Sequence, residues 1–353
     1  MKRVGGLWET LVSFENLHEA ARRAALGKRR RPDVAAFLLN LETELVSLRR
    51  ELESRTYRPG DYREFLVQEA KPRLISAAPF RDRVVHHALT QVLEPIFERR
   101  FTKDSYACRT GMGVHKALER AKRAVADYPY VLKCDVRKYF ASMDHEILKG
   151  LLARVVKCRP TLELAGLIID GWESREDTGG YFPGDDLFTP LARRRGVPLG
   201  NQTSQFFANV YLNPLDHFVA QELRPGCYLR YVDDFVLFGE SERSLNEMKT
   251  SIEKLLDGLR IGIHAGKSRV YRCGDGIPFL GWRLSPGRTQ LARRNVMEFR
   301  RRLREMGEEF RRGAAGRVEI GQRIQAWIGH AGFGDTWRLR ARIFAGFALQ
   351  TGE

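Results

Sequence analysis

The tightest constraint on the fold is a pair of adjacent acids, Asp233-Asp234, set between the apolar runs Tyr231-Val232 and Phe235-Val236-Leu237. Successive residues of a strand face opposite ways, so an acid pair inside a plain strand would bury one charge. A tight turn presents both, which predicts a hairpin over 227–238. A further acid, Asp135, ends the strand-like run Tyr130-Val131-Leu132-Lys133-Cys134. Carboxylates in such an apolar frame call for a counter-ion, and hard oxygen ligands favour Mg²⁺. Two ions about 4 Å apart would activate a 3′-hydroxyl and stabilise a leaving pyrophosphate. A surface turn for Asp233-Asp234 and a helix N-cap for Asp135 account for the same residues without a metal.

Periodicity supplies the frame. Leu17, Ala20 and Ala24, then Val34, Phe37, Leu38, Leu41, Leu45, Leu48 and Leu52, recur at helical spacing, so 10–56 reads as helices. Residues 62–75 alternate and predict a hairpin. Helices are expected over 81–97, 145–155, 204–223 and 244–259, and a short strand over 277–284. Residues 173–195 are rich in Gly, Asp and Arg and read as a loop or hairpin insertion. Strands, helices and hairpins over 130–285 predict an α+β domain on an antiparallel sheet, flanked by helices.

The 353 residues carry a net charge of +16. Between Arg288 and Arg342 stand 14 arginines, no lysine and 6 acidic residues, a surplus of eight positive charges and half of the total. Such a basic segment suits a phosphate backbone, because each neutralised phosphate releases counterions. A solvated helical face, an acidic protein or a membrane surface would also suit it. No apolar run is long enough for a transmembrane helix, and the first residues lack a signal-peptide pattern. Five scattered cysteines without a CxxC argue against a disulfide framework or a zinc site, so the cytoplasm is the expected compartment. The histidines show no metal spacing.

Seven ordered blocks carry a resemblance. Tyr231-Val232-Asp233-Asp234 resembles the YxDD box in the palm of reverse transcriptases. Lys71-Pro72-Arg73-Leu74-Ile75 and the segment from Phe101 to Gly113 resemble the two fingers blocks. Asp135 through Tyr139-Phe140 resembles block A, and Leu199-Gly200-Asn201-Gln202-Thr203-Ser204-Gln205 block B. His264-Ala265-Gly266-Lys267 resembles block D, and Phe279-Leu280-Gly281-Trp282 the primer grip.

The resemblance implies a right-hand polymerase fold. It implies a helical N-terminal extension over 1–60, fingers and palm over 61–285, and a basic helical thumb over 286–353. The implied activity is RNA-directed DNA synthesis with two Mg²⁺, or Mn²⁺ in vitro. Asp135, Asp233 and Asp234 match the metal-binding carboxylates, with the Val136 carbonyl beside them. Lys71 and Arg73 match residues that hold the triphosphate, where a point charge and a planar fork suit the task. Phe140 matches a gate beneath the sugar that favours dNTPs. Leu199 and Gly200 would meet the nascent base pair, and Lys267 would neutralise or protonate the leaving pyrophosphate. Gln205, Tyr231, Leu280, Gly281 and Trp282 are expected at the nucleic acid, with Arg293, Arg294, Arg300 and Arg301 along its backbone. Trp327 and Trp337 are expected in the thumb core.

Block B departs from the commonest pattern, with Leu199 in place of Gln and Gln205 in place of Pro. That form resembles the reverse transcriptases of diversity-generating retroelements and implies error-prone copying of template adenines. Phage-defence reverse transcriptases that copy a dedicated non-coding RNA share several of these features. A non-catalytic RNA-binding relative is the reading from another class. Implied partners are template RNA, primer or cDNA, dNTPs, and a small basic accessory protein or a structured RNA, with no membrane.

Overall fold

The computed structural model describes residues 2–67, 72–176, 178 and 180–347. The chain opens with helices α1 (Trp8–Val12), α2 (Phe14–Ala24), α3 (Pro32–Leu39) and α4 (Leu41–Glu53). Ser13 caps α2 by accepting from Asn16 N, and Pro32 opens α3, where its missing N–H costs nothing. The helices bury Leu17, Val34, Leu45 and Leu48 against the long helix α5 (Phe80–Glu98). Between them lies the antiparallel hairpin of β1 (Arg63–Val67) and β2 (Arg73–Ala77). Helix α6 (Val114–Asp127) follows.

A four-stranded antiparallel sheet forms the centre, in the order β4 (Cys227–Tyr231), β5 (Asp234–Gly239), β3 (Tyr130–Asp135), β6 (Arg269–Arg272). Alternation decides what each face meets. Leu132, Cys134, Phe235 and Leu237 join the core that includes α7 (Tyr139–Ser142), α8 (His145–Ala153), α9 (Arg159–Asp170), α11 (Gln202–Phe218) and α12 (Glu242–Gly258). Val131, Val236, Phe238 and Leu229 face a second apolar cluster built on α6. That cluster extends to a three-stranded sheet of β7 (Ile277–Phe279), β8 (Trp282–Ser285) and β9 (Arg288–Leu291). The insertion at 173–195 holds one short helix, α10 (Thr189–Ala192).

Helices α13 (Arg293–Arg311), α14 (Arg317–Ala331) and α15 (Trp337–Phe344) close the fold. They share a small core of Phe299, Leu303, Met306, Ile320 and Ile343. Phe299 and Trp327 stack with ring centroids 3.7 Å apart. Trp327 thus sits where the sequence places it, whereas Trp337 is 72% exposed. Its apolar neighbours are too few to cover it: it borders a groove lined by Arg288, Arg338, Arg340 and Arg342.

The single strand expected over 277–284 is two strands, because Leu280 and Gly281 both take positive φ (46° and 82°) and turn the chain back. The β8–β9 hairpin spans the expected palm–thumb boundary at 285–286. No helix among the described residues is long and apolar enough to cross a membrane.

Candidate active site

Antiparallel pairing sets Asp135 of β3 directly opposite Asp234 of β5. Opposed residues in such a ladder have Cα atoms about 4.5–5.5 Å apart and side chains on one face. Asp233 follows in the two-residue turn of the β4–β5 hairpin, and its carbonyl accepts from Val136 N at 3.2 Å. The three acids therefore occupy neighbouring backbone positions at one end of the sheet. Val232, the other turn residue, has φ 57°. A β-branched residue there is strained, by an amount on the order of 1–3 kcal/mol.

The electrostatics match a cluster short of positive charge. Burial lifts the Asp233 carboxyl from its usual 3.8 to about 6, and the charges of Asp234 and Asp135 push the same way. Burial also raises Asp234, against the pull of Lys133. Lys133 Nζ stands 3.4 Å from Asp234 Oδ1, near enough for charge attraction, yet that buried oxygen accepts no hydrogen bond. Lys267 Nζ lies 2.9 Å from Asp135 Oδ1. A turn positions Lys267: His264 N donates to the Asp135 carbonyl, and Lys267 N and Ser268 N donate to the His264 carbonyl.

With the lysines drawing the carboxylates aside, no group of three His, Cys, Asp or Glu side chains among the described residues stands close enough to hold an ion. The donor set nevertheless suits a hard divalent cation. It offers three carboxylates on adjoining positions, one with an unsatisfied buried oxygen and one raised by burial.

Beneath this hairpin lies a node that the sequence reading missed. Arg230 and Asp216 are both fully buried and pair bidentately, Nε to Oδ1 at 2.7 Å and Nη2 to Oδ2 at 2.6 Å. Arg230 Nη1 donates to the Val232 carbonyl at 3.0 Å and to Asn209 Oδ1 at 3.2 Å. Its Nη2 donates to Ser105 Oγ at 3.0 Å, and the Tyr228 hydroxyl donates to Asp216 Oδ1 at 2.8 Å. The strained turn, α11 and the 104–107 segment thus converge on one guanidinium. An arginine inside the run Cys227–Tyr231 was the visible signal; its partner on α11 was not.

Other expected residues are distributed as follows. Phe140 is half-buried with its ring edge-on to Tyr139, and its carbonyl accepts from Val197 N. The Leu199 carbonyl accepts from Ser76 N at 3.1 Å, and Asn201 bonds Ser76 and Ala78, so block B is bound to β2. Gly200 has φ 108°, and a Cβ there would stand 2.8 Å from Ile75 Cγ2. The close approach that Gly200 permits is thus to β2, not to the base pair expected from the sequence. Arg73 and Gln205 are exposed and Tyr231 is half-buried; Lys71 lies outside the described residues.

Trp282 requires a correction. Its side chain is fully buried against His330 and Phe333, so the indole is core and cannot face nucleic acid; Leu280 and Gly281 form the turn beside it. Arg293, Arg294, Arg300 and Arg301 are exposed on α13, with Arg301 paired to Glu305 at 2.8 Å.

The profile of the family described as reverse transcriptase (RNA-dependent DNA polymerase) matches residues 66–284. The chain belongs to the reverse transcriptase family. This reverse transcriptase domain is 26% identical over 297 residues to Protein YkfC of Escherichia coli, covering 73% of the chain and 75% of YkfC. It is 26% identical over 183 residues to the group II intron-encoded protein LtrA of Lactococcus lactis, covering 51% of the chain but only 29% of LtrA. Among solved structures it resembles apo telomerase from Candida tropicalis truncated from its C-terminal domain. The TM-score is 0.50 at 14% identity, over 66% of this chain and 55% of that one. The fold is therefore the right-hand polymerase fold, with the four-stranded sheet as its palm.

Proposed function

We propose that the chain is a Mg²⁺-dependent RNA-directed DNA polymerase acting on a primed RNA template. The pairing of Asp135 with Asp234, with Asp233 in the adjoining turn, carries this reading. Asp135, Asp233, Asp234 and the Val136 carbonyl would hold two divalent cations, with Mn²⁺ able to substitute in vitro. Bound there, the ions would supply Lewis-acid stabilisation of the attacking and leaving oxygens.

The protein's own residues do the rest. Lys267 gives up Asp135 as the cations arrive and is then free to neutralise or protonate the departing pyrophosphate. Phe140 closes the space beneath the sugar and selects against a ribose 2′-hydroxyl. Leu199 and Gly200 line the nucleotide site from a loop fixed to β2, with Lys71 and Arg73 on the triphosphate. Gln205, Tyr231, Leu280 and Gly281 meet template and primer. The exposed arginines of α13 follow the backbone as a thumb over 286–353, after fingers and palm at 61–285 and a helical extension at 1–60.

The block B form supports placing the enzyme with the diversity-generating retroelements, working with an accessory protein or a structured RNA. An apolar side chain at 199 removes a polar contact that would help to discriminate pairing geometry opposite template adenine. Extension of a primed RNA tests the activity: incorporation is expected, with loss in Asp233→Ala/Asp234→Ala while RNA binding survives. Absence of product from the unaltered chain would refute the activity. Equal misincorporation opposite all four template bases would refute the subgroup.

A further inference from the structure

Beside the carboxylate cluster lies a separate cavity of about 230 Å³, walled by Arg137, Ser142, Phe182, Arg193, Arg195 and Arg260 together with the backbone of 261–263. Backbone bonds anchor its outer wall, the end of the 173–195 insertion. His145 N donates to the Arg194 carbonyl, Ser174 N to the Arg195 carbonyl and Gly196 N to the Met143 carbonyl. The arginines of this wall are thus carried on fixed main chain.

Arg193 is the unusual member. Its side chain is only 5% exposed. Nη2 is bonded to Asp185, and Nε stands 3.5 Å from Asp144 Oδ2. Phe182 lies against the guanidinium, 5.4 Å from ring centroid to Cζ. Buried Nη1 has no partner, and Nε makes no hydrogen bond. Asp144 is already engaged, since its Oδ2 accepts from Arg260 Nη1 at 2.7 Å and its Oδ1 caps α8 at Ile147 N. An arginine cannot escape by losing its proton, so the buried donor carries its full desolvation cost until an acceptor arrives. Among the described residues, four arginines face this cavity, with Asp144 and Asp185 as the carboxylates that meet them.

We propose that this cavity binds a phosphate-type oxyanion. Tetrahedral anions offer acceptors in the fork geometry of guanidinium groups, and the volume admits phosphate or pyrophosphate. The position suggests the source. Arg137 is two residues beyond Asp135 and its N donates to the Gly262 carbonyl, while Val136 bridges Ile263. One wall of the cavity is therefore the main chain that carries Asp135 and leads into the Lys267 turn. Pyrophosphate leaving the carboxylate cluster would meet this cavity first. That identity rests on the polymerase reading; the anion site itself does not.

The test is calorimetric titration of the full chain with sodium phosphate and with sodium pyrophosphate, in EDTA so that no metal bridges the anion. Saturable 1:1 binding of pyrophosphate is expected, weakened at least tenfold by Arg193→Met and less by Arg195→Gln at the rim. Circular dichroism checks the fold of each variant, and Arg195→Gln leaves the Arg193–Asp185 pair in place should Arg193→Met not fold. Binding should persist in Asp233→Asn/Asp234→Asn. A short RNA oligonucleotide that displaces pyrophosphate would identify backbone phosphate as the natural occupant of the same oxyanion site. No binding by the unaltered chain, or equal binding by both arginine variants, would overturn the proposal. If the anion binds but no primer is extended, the polymerase reading fails and the oxyanion site stands.

Discussion

Arg230 Nη1 donates to the carbonyl of Val232, so a fully buried cation supports the turn residue immediately before Asp233. The charge is matched by Asp216, equally buried. A buried pair of this kind adds little net stability, but removing one partner strands the other. Arg230→Met should therefore cost about 3–5 kcal/mol. Arg230→Met/Asp216→Leu should recover much of that loss in urea unfolding. Extension activity should remain low in the double variant, because the Val232 carbonyl still lacks its donor. Full activity in the double variant would show that the turn holds itself.

The raised Asp233 carboxyl makes cation binding compete with protons. Its folded pKa of about 6 lies above the ordinary 3.8, so between those values the native state holds more protons than the unfolded chain. Ionising it therefore costs stability as pH rises through this window, and a bound divalent cation offsets the cost at neutral pH. Mg²⁺ should raise the melting temperature more at pH 7 than at pH 5. Asp233→Asn/Asp234→Asn should abolish the difference. A Mg²⁺ shift independent of pH would contradict the assignment.

Acid sensitivity should come from α5. His86 is 1% exposed and neither ring nitrogen has a partner, and burial lowers its pKa from the usual 6.5 to about 3. His87 falls to about 4, chiefly from burial with Lys28, Arg23 and Arg83 adding. Here the unfolded chain takes up the protons. Stability is full above pH 6.5 and is lost as pH falls toward 3, at up to about 1.4 kcal/mol per pH unit per group. His86→Leu should flatten the melting curve between pH 7 and 5 and match or exceed the unaltered protein at pH 7. Parallel curves would count against this account.

Contact between block B and β2 can be tested by size alone. Gly200→Ala places a methyl against Ile75 and holds φ in a region that L-residues avoid. Nucleotide incorporation should drop at least tenfold. Gly200→Ala/Ile75→Ala should regain part of it by removing Cγ2, leaving the loss due to φ. No rescue in steady-state extension would mean that backbone strain is the whole effect.

What the sequence made legible follows from range. The hairpin around Asp233-Asp234, the strand ending at Asp135 and the helix over α5 are written in local alternation and period, and local signals suffice for them. Helix α6 was equally legible, since Ala117, Leu118, Ala121, Ala124 and Val125 keep one face, but its small side chains give a weak signal. Trp282 and Trp337 exchange their expected surroundings because burial depends on which elements meet, and no window of sequence contains both sides of a contact. The Arg230–Asp216 pair fails for the same reason: each residue alone reads as a surface charge. Gly200 was recognised as a place of close approach, while the atom approached lies on a strand about 125 residues earlier.

The loop between α14 and α15 is fastened to β9, with Asp335 N on the Thr289 carbonyl and Asp335 Oδ2 on Thr289 N. At its centre Gly334 lies so near Trp282 that a methyl there would stand 2.4 Å from the indole. Position 334 and the ring at 282 are consequently a single inherited unit. A lineage that enlarges one must shrink or shift the other, and with it the Leu280–Gly281 turn, so drift in the C-terminal helices is answerable to the palm.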